Sequence, residues 1–461
     1  MLAQILLERL KSIVGASNLL TSKAELDHFG VDRTSFWAPR ACAVVRPNSV
    51  EQVRSIVLFA IETNLAIVPS GGRTGLSGGA VAANGELVLV MDRLNKVLDY
   101  RSSDRAVTVE AGIITANLQA FAEKNKLFYP VDFASSGSSQ IGGNIATNAG
   151  GIRVLRYGMT RDWVLGLKVV TGAGEILDLN RGLVKNNSGY DLRHLFIGSE
   201  GTLGVICEAT LQLTQPPQDS TVMVLGLSDF SAVVSVFELF EGKIDLSACE
   251  FFSQLALDRV VAHRGYTSPF DTGAPFYVLF EFEADSSNQA ESCFQRALEQ
   301  GWVVDGVISQ NSIQAQSLWK LREDISDTLW QWQPYKNDLS VRVSDMPNFI
   351  KQVEQLVSDG YSEFELVWYG HVGDGNLHLN ILKPEAMNSD DFLARCEPVS
   401  HEICNLLVAF GGSISAEHGI GLLKKDYLKY TRSAAEVEIM RKMKKIFDPK
   451  GILNPGKVFD E

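Results

Sequence analysis

The sequence predicts an α+β protein in two parts with a helical C-terminal segment. Three observations carry that expectation: short β-runs separated by glycine-rich turns up to about residue 215, strands alternating with amphipathic helices from there to 385, and a mainly helical stretch beyond. The expected divisions are therefore residues 1–215, 216–385 and 386–461, with Pro-Pro-Gln at 216–218 marking the first boundary. In chain order, MLAQILLERLKSIVG places Leu2, Ile5, Leu6, Leu10 and Ile13 on one helical face, with Glu8, Arg9 and Lys11 elsewhere. ACAVVRPNSV, AIVPSGG, ELVLVMD, AVTVEAG, LGLKVVTGAGEILDL and GVICEATLQLT are rich in Val, Ile, Leu and Thr and bounded by turn residues, as strands are. SVEQVRSIVLFAIETN and TANLQAFAEKNK read as helices, with Ser49 and Thr115 as N-caps. In the second part TVMVLGLS, PFYVLFEFEA and FELVWYGHV read as strands and SDFSAVVSVFELFEG as an amphipathic helix. The chain closes on the Pro- and Gly-bearing tail FDPKGILNPGKVF.

Composition narrows the function classes. The 461 residues carry 42 Lys+Arg against 55 Asp+Glu, a formal net charge of −13. A nucleic-acid binder needs a basic face to neutralise phosphates, and an anionic membrane surface asks for the same, so neither is the expected partner. No apolar run approaches the roughly 18 residues of a membrane span. The N-terminus lacks the unbroken apolar core and small-residue cleavage site of a secretory signal. Six scattered cysteines without a C-x-x-C pair read as buried thiols of a reducing compartment, which makes the cytoplasm the expected location.

Three glycine-rich segments carry the first chemical signal: PSGGRTGLSGGAV at 69–81, IGGNIATNAGGIRVLRYG at 141–158 and LFIGSEGTLGVI at 195–206. Glycine admits positive φ and lets backbone N–H groups approach an anion closely, so successive N–H groups form a nest for a pyrophosphate. Ser70, Thr74, Ser77, Asn144 and Thr147 add donors. One such loop would be an ordinary tight turn, but three so close together favour a nucleotide-sized anion. Neither G-x-G-x-x-G between strand and helix nor G-x-x-x-x-G-K-[ST] occurs, so the NAD-type and P-loop folds are not supported.

These loops resemble those of the flavin enzymes of the vanillyl-alcohol oxidase type. The pyrophosphate loop of that family is similar to PSGGRTGLSGG, its flavin-facing loop to PVDF followed by IGGNIATNAGG, and its third segment to GSEGTLGVI. The resemblance implies a two-part FAD-binding domain plus an α+β substrate domain with an antiparallel sheet, and a C-terminal segment returning to the FAD domain. It implies that Pro69, Ser70, Gly71, Gly72, Arg73, Thr74, Gly75, Ser77 and Gly78 hold the FAD pyrophosphate. Asp132, Gly142, Gly143, Asn144, Thr147, Gly150, Gly151 and Ile206 would line the rest of the cofactor. Many relatives attach the flavin covalently through His or Cys. Neither of the first two loops contains either residue, so non-covalent FAD is expected.

Of seven histidines, three fall in two short motifs, GHVGDGNLHLN at 370–380 and SAEHGIG at 415–421. His371 and His378 flank a Gly-Asp-Gly-Asn turn that can fold back so that both imidazoles converge, and Glu417 and His418 sit beside a glycine in another turn. Two imidazoles and a carboxylate with open positions left over suit a catalytic divalent ion, most readily Zn2+. Such an ion, held by His371, His378 and Glu417, would lower the pKa of a substrate hydroxyl. His418 could then accept the proton and Asn380 orient a neighbouring carboxylate. The plain alternative is two core or turn histidines and a surface glutamate.

The same motifs are similar to those of the D-2-hydroxyacid dehydrogenase branch of the flavin family, where metal ligands and catalytic histidine match His371, His378, Glu417 and His418. In SLWKLREDISDTL, Arg322 and Ser326 are four apart on an expected helix, and Lys336 follows in PYKNDLSV. Arg, a hydroxyl and Lys together would suit a second, distal carboxylate. Pairing of Arg322 with Glu323 or Asp324 on a solvated face is the alternative. The chain as a whole resembles the D-2-hydroxyglutarate dehydrogenases, with Ser326 where that family has threonine and Asn337 where it has tyrosine. This implies oxidation of D-2-hydroxyglutarate to 2-oxoglutarate, with Arg322, Ser326, Lys336, Asn380 and His418 on the substrate. D-lactate, D-malate or glycolate oxidation by the same fold is the alternative. An ether-lipid synthase and a non-enzymatic flavin protein are the more distant ones. The implied partners are a small 2-hydroxy acid and an electron acceptor such as an electron-transfer flavoprotein or a quinone. A homodimer is compatible with this reading.

Overall fold

The computed structural model describes residues 3–34 and 36–460. The described chain falls into two compact units, one of residues 1–151, 159–216 and 417–461 and one of residues 152–158 and 217–416. Residues 386–416, read in the sequence as part of the returning helical segment, count with the second unit, as does the short stretch 152–158.

The first unit holds two sheets. In the smaller, Ala43–Val45, Leu87–Val90 and Ile67–Ser70 run parallel in that spatial order, with Leu19–Leu20 antiparallel at one edge. Parallel strands are buried on both faces, so they read as unbroken apolar runs. The five-stranded sheet is antiparallel throughout, in the order Val97–Arg101, Ala106–Glu110, Gly204–Gln212, Val164–Thr171 and Ile176–Leu179. The helix Val50–Thr63 buries Val53, Ile56, Val57 and Ala60, and the Ser49 side chain accepts from the Gln52 N–H as its N-cap. Thr115 does not cap its helix. It is the first helical residue, with Ile114 at the cap, because its hydroxyl is engaged instead by Ser139 Oγ at 2.8 Å and by Asn144 Nδ2 at 2.8 Å. In the N-terminal helix Gln4–Val14, Leu10 and Val14 are buried and Leu6 and Ile13 pack against the core. Ile5 is 72% exposed, so the apolar stripe is narrower than the sequence suggests, and Leu2 lies outside the described residues.

The C-terminal tail is latched to this unit by one buried cation. Lys444 Nζ pairs with Asp448 and donates to the carbonyls of Thr202 (2.9 Å) and Leu453 (2.7 Å). Asn454 Nδ2 then donates to the carbonyls of Gly79 and Glu200, on two of the glycine-rich segments.

The second unit is built on a seven-stranded antiparallel sheet. Its order is Val303–Ile308, Ser220–Leu227, Phe276–Glu283, Leu246–Ser253, Glu365–His371, Asn376–Leu382 and Tyr335–Ser340. One face buries Val222, Val224, Ala248, Phe252, Leu279 and Val367 against Leu257 and Val260 of the helix Gln254–Arg264 and Leu318 and Leu321 of the helix Ser312–Glu323. The helix Ser389–Ala409 carries Pro398 and buries Phe392, Cys396, Val399 and Ile403. No helix among the described residues is long and apolar enough to cross a membrane.

Candidate active site

In the first unit the three glycine-rich segments come together. Gly71 lies against Gly143, Gly201 against Pro69, and the Gly198 N–H donates to the Ile145 carbonyl at 3.0 Å. The first loop leaves the strand Ile67–Ser70, passes through Arg73 in the left-handed region (φ 56°) and closes at Gly78 (φ 80°), with Thr74 and Gly75 between and Ser77 buried. A Cβ at Gly72 would overlap the Ser138 carbonyl oxygen, so only glycine fits there. The Arg73 guanidinium lies 4.7 Å from the Phe29 ring centroid, and burial holds its pKa below the usual arginine range.

The second loop is the helix Ile141–Thr147, containing Gly142, Gly143, Asn144 and Thr147, followed by buried Gly150 and then Gly151. Gly151 packs on the Asp132 carbonyl, and the Asp132 side chain accepts from Gln119 Nε2. Ile206 is buried on the strand Gly204–Gln212, opposite Val169. The region fits a dinucleotide cofactor on two counts. The Ser70 hydroxyl is buried at a strand end without a hydrogen-bond partner, which a phosphate oxygen would satisfy. A Cβ at Gly143 would meet nothing within 4 Å, so open space lies beside the loop.

Glu417 and His418 also belong to this unit. The Gly151 N–H donates to Glu417 Oε1 at 3.1 Å. Just beyond His418, Glu200 accepts from the N–H groups of Ile420 (2.7 Å) and Gly421 (2.8 Å), which fixes the turn around Gly419. Burial raises the Glu200 carboxyl above its usual range, opposed by those two N–H groups. The sequence reading did not assign Glu200.

In the second unit the remaining candidates share one sheet face. Strand register sets Glu250 opposite His371, Tyr369 opposite His378, His378 opposite Asp338, and Asn380 opposite Lys336. Side chains two apart along a strand and opposed across a ladder point the same way, so all these residues lie on the face that carries the helix Ser312–Glu323. His371 Nε2 and His378 Nε2 stand 3.4 Å apart. Each ring turns its other nitrogen to a carboxylate: His371 Nδ1 is 2.6 Å from Glu250 Oε1, and His378 Nδ1 is 3.5 Å from Asp338 Oδ1. Two ligands about 2.1 Å from one tetrahedral ion stand roughly 3.4 Å apart, so the pair fits a shared divalent ion. Residues 413–416 run beside the strand Tyr335–Ser340, with the Ala416 N–H donating to the Asp338 carbonyl at 3.3 Å. Glu417 follows Ala416 by one peptide bond.

The four residues assigned to a distal carboxylate and its surroundings gather around Tyr369. Arg322 is 5% exposed and its guanidinium lies 4.8 Å from the Tyr369 ring centroid. It pairs neither with Glu323 nor with Asp324 but with Glu250, Nη2 to Oε2 at 2.7 Å. Ser326 lies on a separate short helix, Ile325–Thr328, and its hydroxyl accepts from Lys336 Nζ at 3.0 Å. Burial raises the Tyr369 phenol above its usual range, opposed by hydrogen bonds with Ser326 and Asn380 and by the Arg322 charge. Arg322 Nε and Asn380 Oδ1 are buried without hydrogen-bond partners, which an anionic ligand with its own donors and acceptors would supply.

Glu250, Asp338 and Tyr369 were not assigned from the sequence. A signal existed for the first, a lone charge within the otherwise uncharged LSACEFFS, because a buried carboxylate needs a partner.

Comparison with known proteins gives the family and the fold. Residues 41–180 match the FAD binding domain model, and residues 216–458 match the model of the C-terminal domain of FAD linked oxidases. The vanillyl-alcohol oxidase-type fold is shared with 4-ethylphenol oxidase from Gulosibacter chungangensis, at a TM-score of 0.75 and 16% identity, over 99% of this chain and 97% of that one. The chain is thus an FAD-linked oxidoreductase. D-2-hydroxyglutarate dehydrogenase from Stutzerimonas stutzeri is 53% identical over 98% of each chain. The enzyme of that name from Xanthomonas citri pv. viticola is 54% identical over 98% of this chain and 96% of its own. The chain belongs to the D-2-hydroxyglutarate dehydrogenase family.

Proposed function

We propose that the protein oxidises D-2-hydroxyglutarate to 2-oxoglutarate, using non-covalent FAD and a divalent metal, most readily Zn2+, held by His371, His378 and Glu417. The observation that carries the reading is the single sheet face on which two carboxylate-backed imidazoles meet at 3.4 Å beside buried Arg322 and Asn380 and half-buried Lys336 and Ser326. The flavin would supply an acceptor for the C2 hydride, and a metal on His371, His378 and Glu417 would supply positive charge that lowers the hydroxyl pKa.

The chain's own groups do the rest. Arg322 and Lys336 supply positive charge for the distal carboxylate, and Ser326 and Tyr369 add hydroxyl groups beside it. Asn380 presents a buried amide to the proximal carboxylate. His418 takes the hydroxyl proton on an imidazole nitrogen. The loops at 69–78 and 141–151 hold the cofactor phosphates and ring through backbone N–H groups. D-lactate has no second carboxylate for Arg322 and Lys336 to receive, so the dicarboxylic acid is favoured over lactate and glycolate, with D-malate second.

Electrons leave to an electron-transfer flavoprotein or a quinone. Cytoplasmic location is supported by six free cysteines, the state of thiols in a reducing compartment. The test is metal and flavin analysis of the purified protein, followed by dye-coupled turnover of D-2-hydroxyglutarate, L-2-hydroxyglutarate, D-malate, D-lactate and glycolate. Highest kcat/KM on D-2-hydroxyglutarate with about one divalent ion per FAD is expected. Full activity in protein free of divalent ions would sink the metal assignment, and a preference for lactate would sink the substrate.

A further inference from the structure

We propose that Glu250 is a positioning residue shared by two parts of the site, and that the metal affinity therefore depends on Arg322, a residue that offers the metal no ligand atom. The inference rests on the metal reading above and concerns how that site is held.

Glu250 sits on the strand Leu246–Ser253, 1% exposed, with its two carboxylate oxygens divided. Oε1 meets His371 Nδ1 at 2.6 Å in hydrogen-bonding geometry, and Oε2 lies 2.7 Å from Arg322 Nη2 as an ion pair without hydrogen-bond alignment. A carboxylate on Nδ1 fixes the N–H there, leaves the Nε2 lone pair for an ion and raises its basicity. His371 Nε2 is the nitrogen turned toward His378 Nε2. A buried carboxylate is costly without a counter-charge, and Arg322 supplies one against the second oxygen, which fixes how Glu250 faces His371. The other histidine is supported differently. Asp338, which faces His378, is anchored by the neutral amide of Asn376 at 2.9 Å. His371 is tied through Glu250 to the arginine at the distal-carboxylate cluster. A core ion pair with no further role would need no histidine on its second oxygen.

Glutamine at 250 cannot satisfy both neighbours. Its amide group must face either Arg322, donor against donor, or His371 Nδ1, which forces the proton onto Nε2 and blocks the metal nitrogen. The experiment measures the zinc dissociation constant of FAD-loaded protein by competition with a chelator, for the wild type, E250Q, R322M and K336M. Retained flavin is the check on folding. Zinc binding about 10- to 100-fold weaker in E250Q and about tenfold weaker in R322M is expected, the range typical of lost outer-shell partners, with K336M unchanged. Excess zinc then restores turnover of D-2-hydroxyglutarate in E250Q, which a merely structural defect would not allow. Wild-type zinc affinity in R322M overturns the proposal, as does equal weakening in R322M and K336M.

Where either single variant loses its flavin, the double variant Glu250→Leu with Arg322→Met removes both charges together, a change that buried pairs tolerate. Weak zinc binding in it supports the proposal and wild-type affinity overturns it. A wild-type protein that binds no zinc at all refutes the metal reading itself, an outcome distinct from either of these.

Discussion

The glycine loops of the first unit and the sheet face of the second are built by opposite means for the ligands proposed for them. At 69–78 and 141–151 the cradle is made of backbone, and its specificity comes from what a Cβ would obstruct: at Gly72 the Ser138 carbonyl, at Gly143 open space. On the sheet face the proposed site is made of polar and charged side chains in contact with one another, half-buried Lys336 with Ser326 and buried Arg322 with Glu250 and Glu250 with His371. A backbone cradle is encoded by consecutive residues and tolerates little change at single positions. A side-chain cluster is encoded by strand register across a sheet, and its members fail in pairs.

Substituting the two glycines tests the first half of that contrast and carries the largest expected effect. Gly72→Ala drives a methyl into the Ser138 carbonyl and should yield protein with little flavin and a lowered Tm, read from flavin absorbance per protein and thermal unfolding. Gly143→Ala meets no protein atom and replaces a helical glycine. The flavin-free protein should be as stable or up to about 1 kcal/mol more so, while FAD binds more weakly. Equal loss of apo stability in both variants would break the distinction between a glycine required by the fold and one required by the cofactor.

Lys444→Met comes next. It leaves Asp448 buried and unpaired behind the tail and should cost about 3–5 kcal/mol in denaturant unfolding. A cost below about 1 kcal/mol would show that the backbone contacts of the tail suffice without the cation. Arg322→Ala sharpens the second half of the contrast. With zinc saturating, kcat/KM for D-2-hydroxyglutarate should fall about 10- to 150-fold, the worth of a hydrogen bond to a charged group, and that for D-lactate much less. Equal losses would remove Arg322 from the distal carboxylate.

The same contrast explains how much could be read in advance. The glycine loops were legible because each is a run of adjacent residues whose conformational demands are local. The helix at 50–63 was equally plain, with Ser49 as its cap. Thr115 misled because a hydroxyl that would cap a helix was taken by Ser139 and Asn144, more than twenty positions away. His371 and His378 were visible as a hairpin pair flanking a Gly-Asp-Gly-Asn turn. Glu250 was not, because it reaches His371 from a strand 121 residues earlier, and nothing local marks that pairing. The competing local partners of Arg322, Glu323 and Asp324, lost to Glu250 for the same reason: a buried guanidinium takes the carboxylate that shares its burial.

The proposed function requires flavin, a metal and a second-carboxylate anchor for oxidation of a D-dicarboxylic hydroxy acid. Its most direct measurement is anaerobic mixing of the FAD-loaded protein with D-2-hydroxyglutarate, L-2-hydroxyglutarate and D-lactate while flavin absorbance is followed, before and after chelation. Fast bleaching by D-2-hydroxyglutarate alone, lost on chelation and restored by zinc, is the predicted result. Bleaching that persists after chelation, or that D-lactate produces faster than the dicarboxylate, would contradict it.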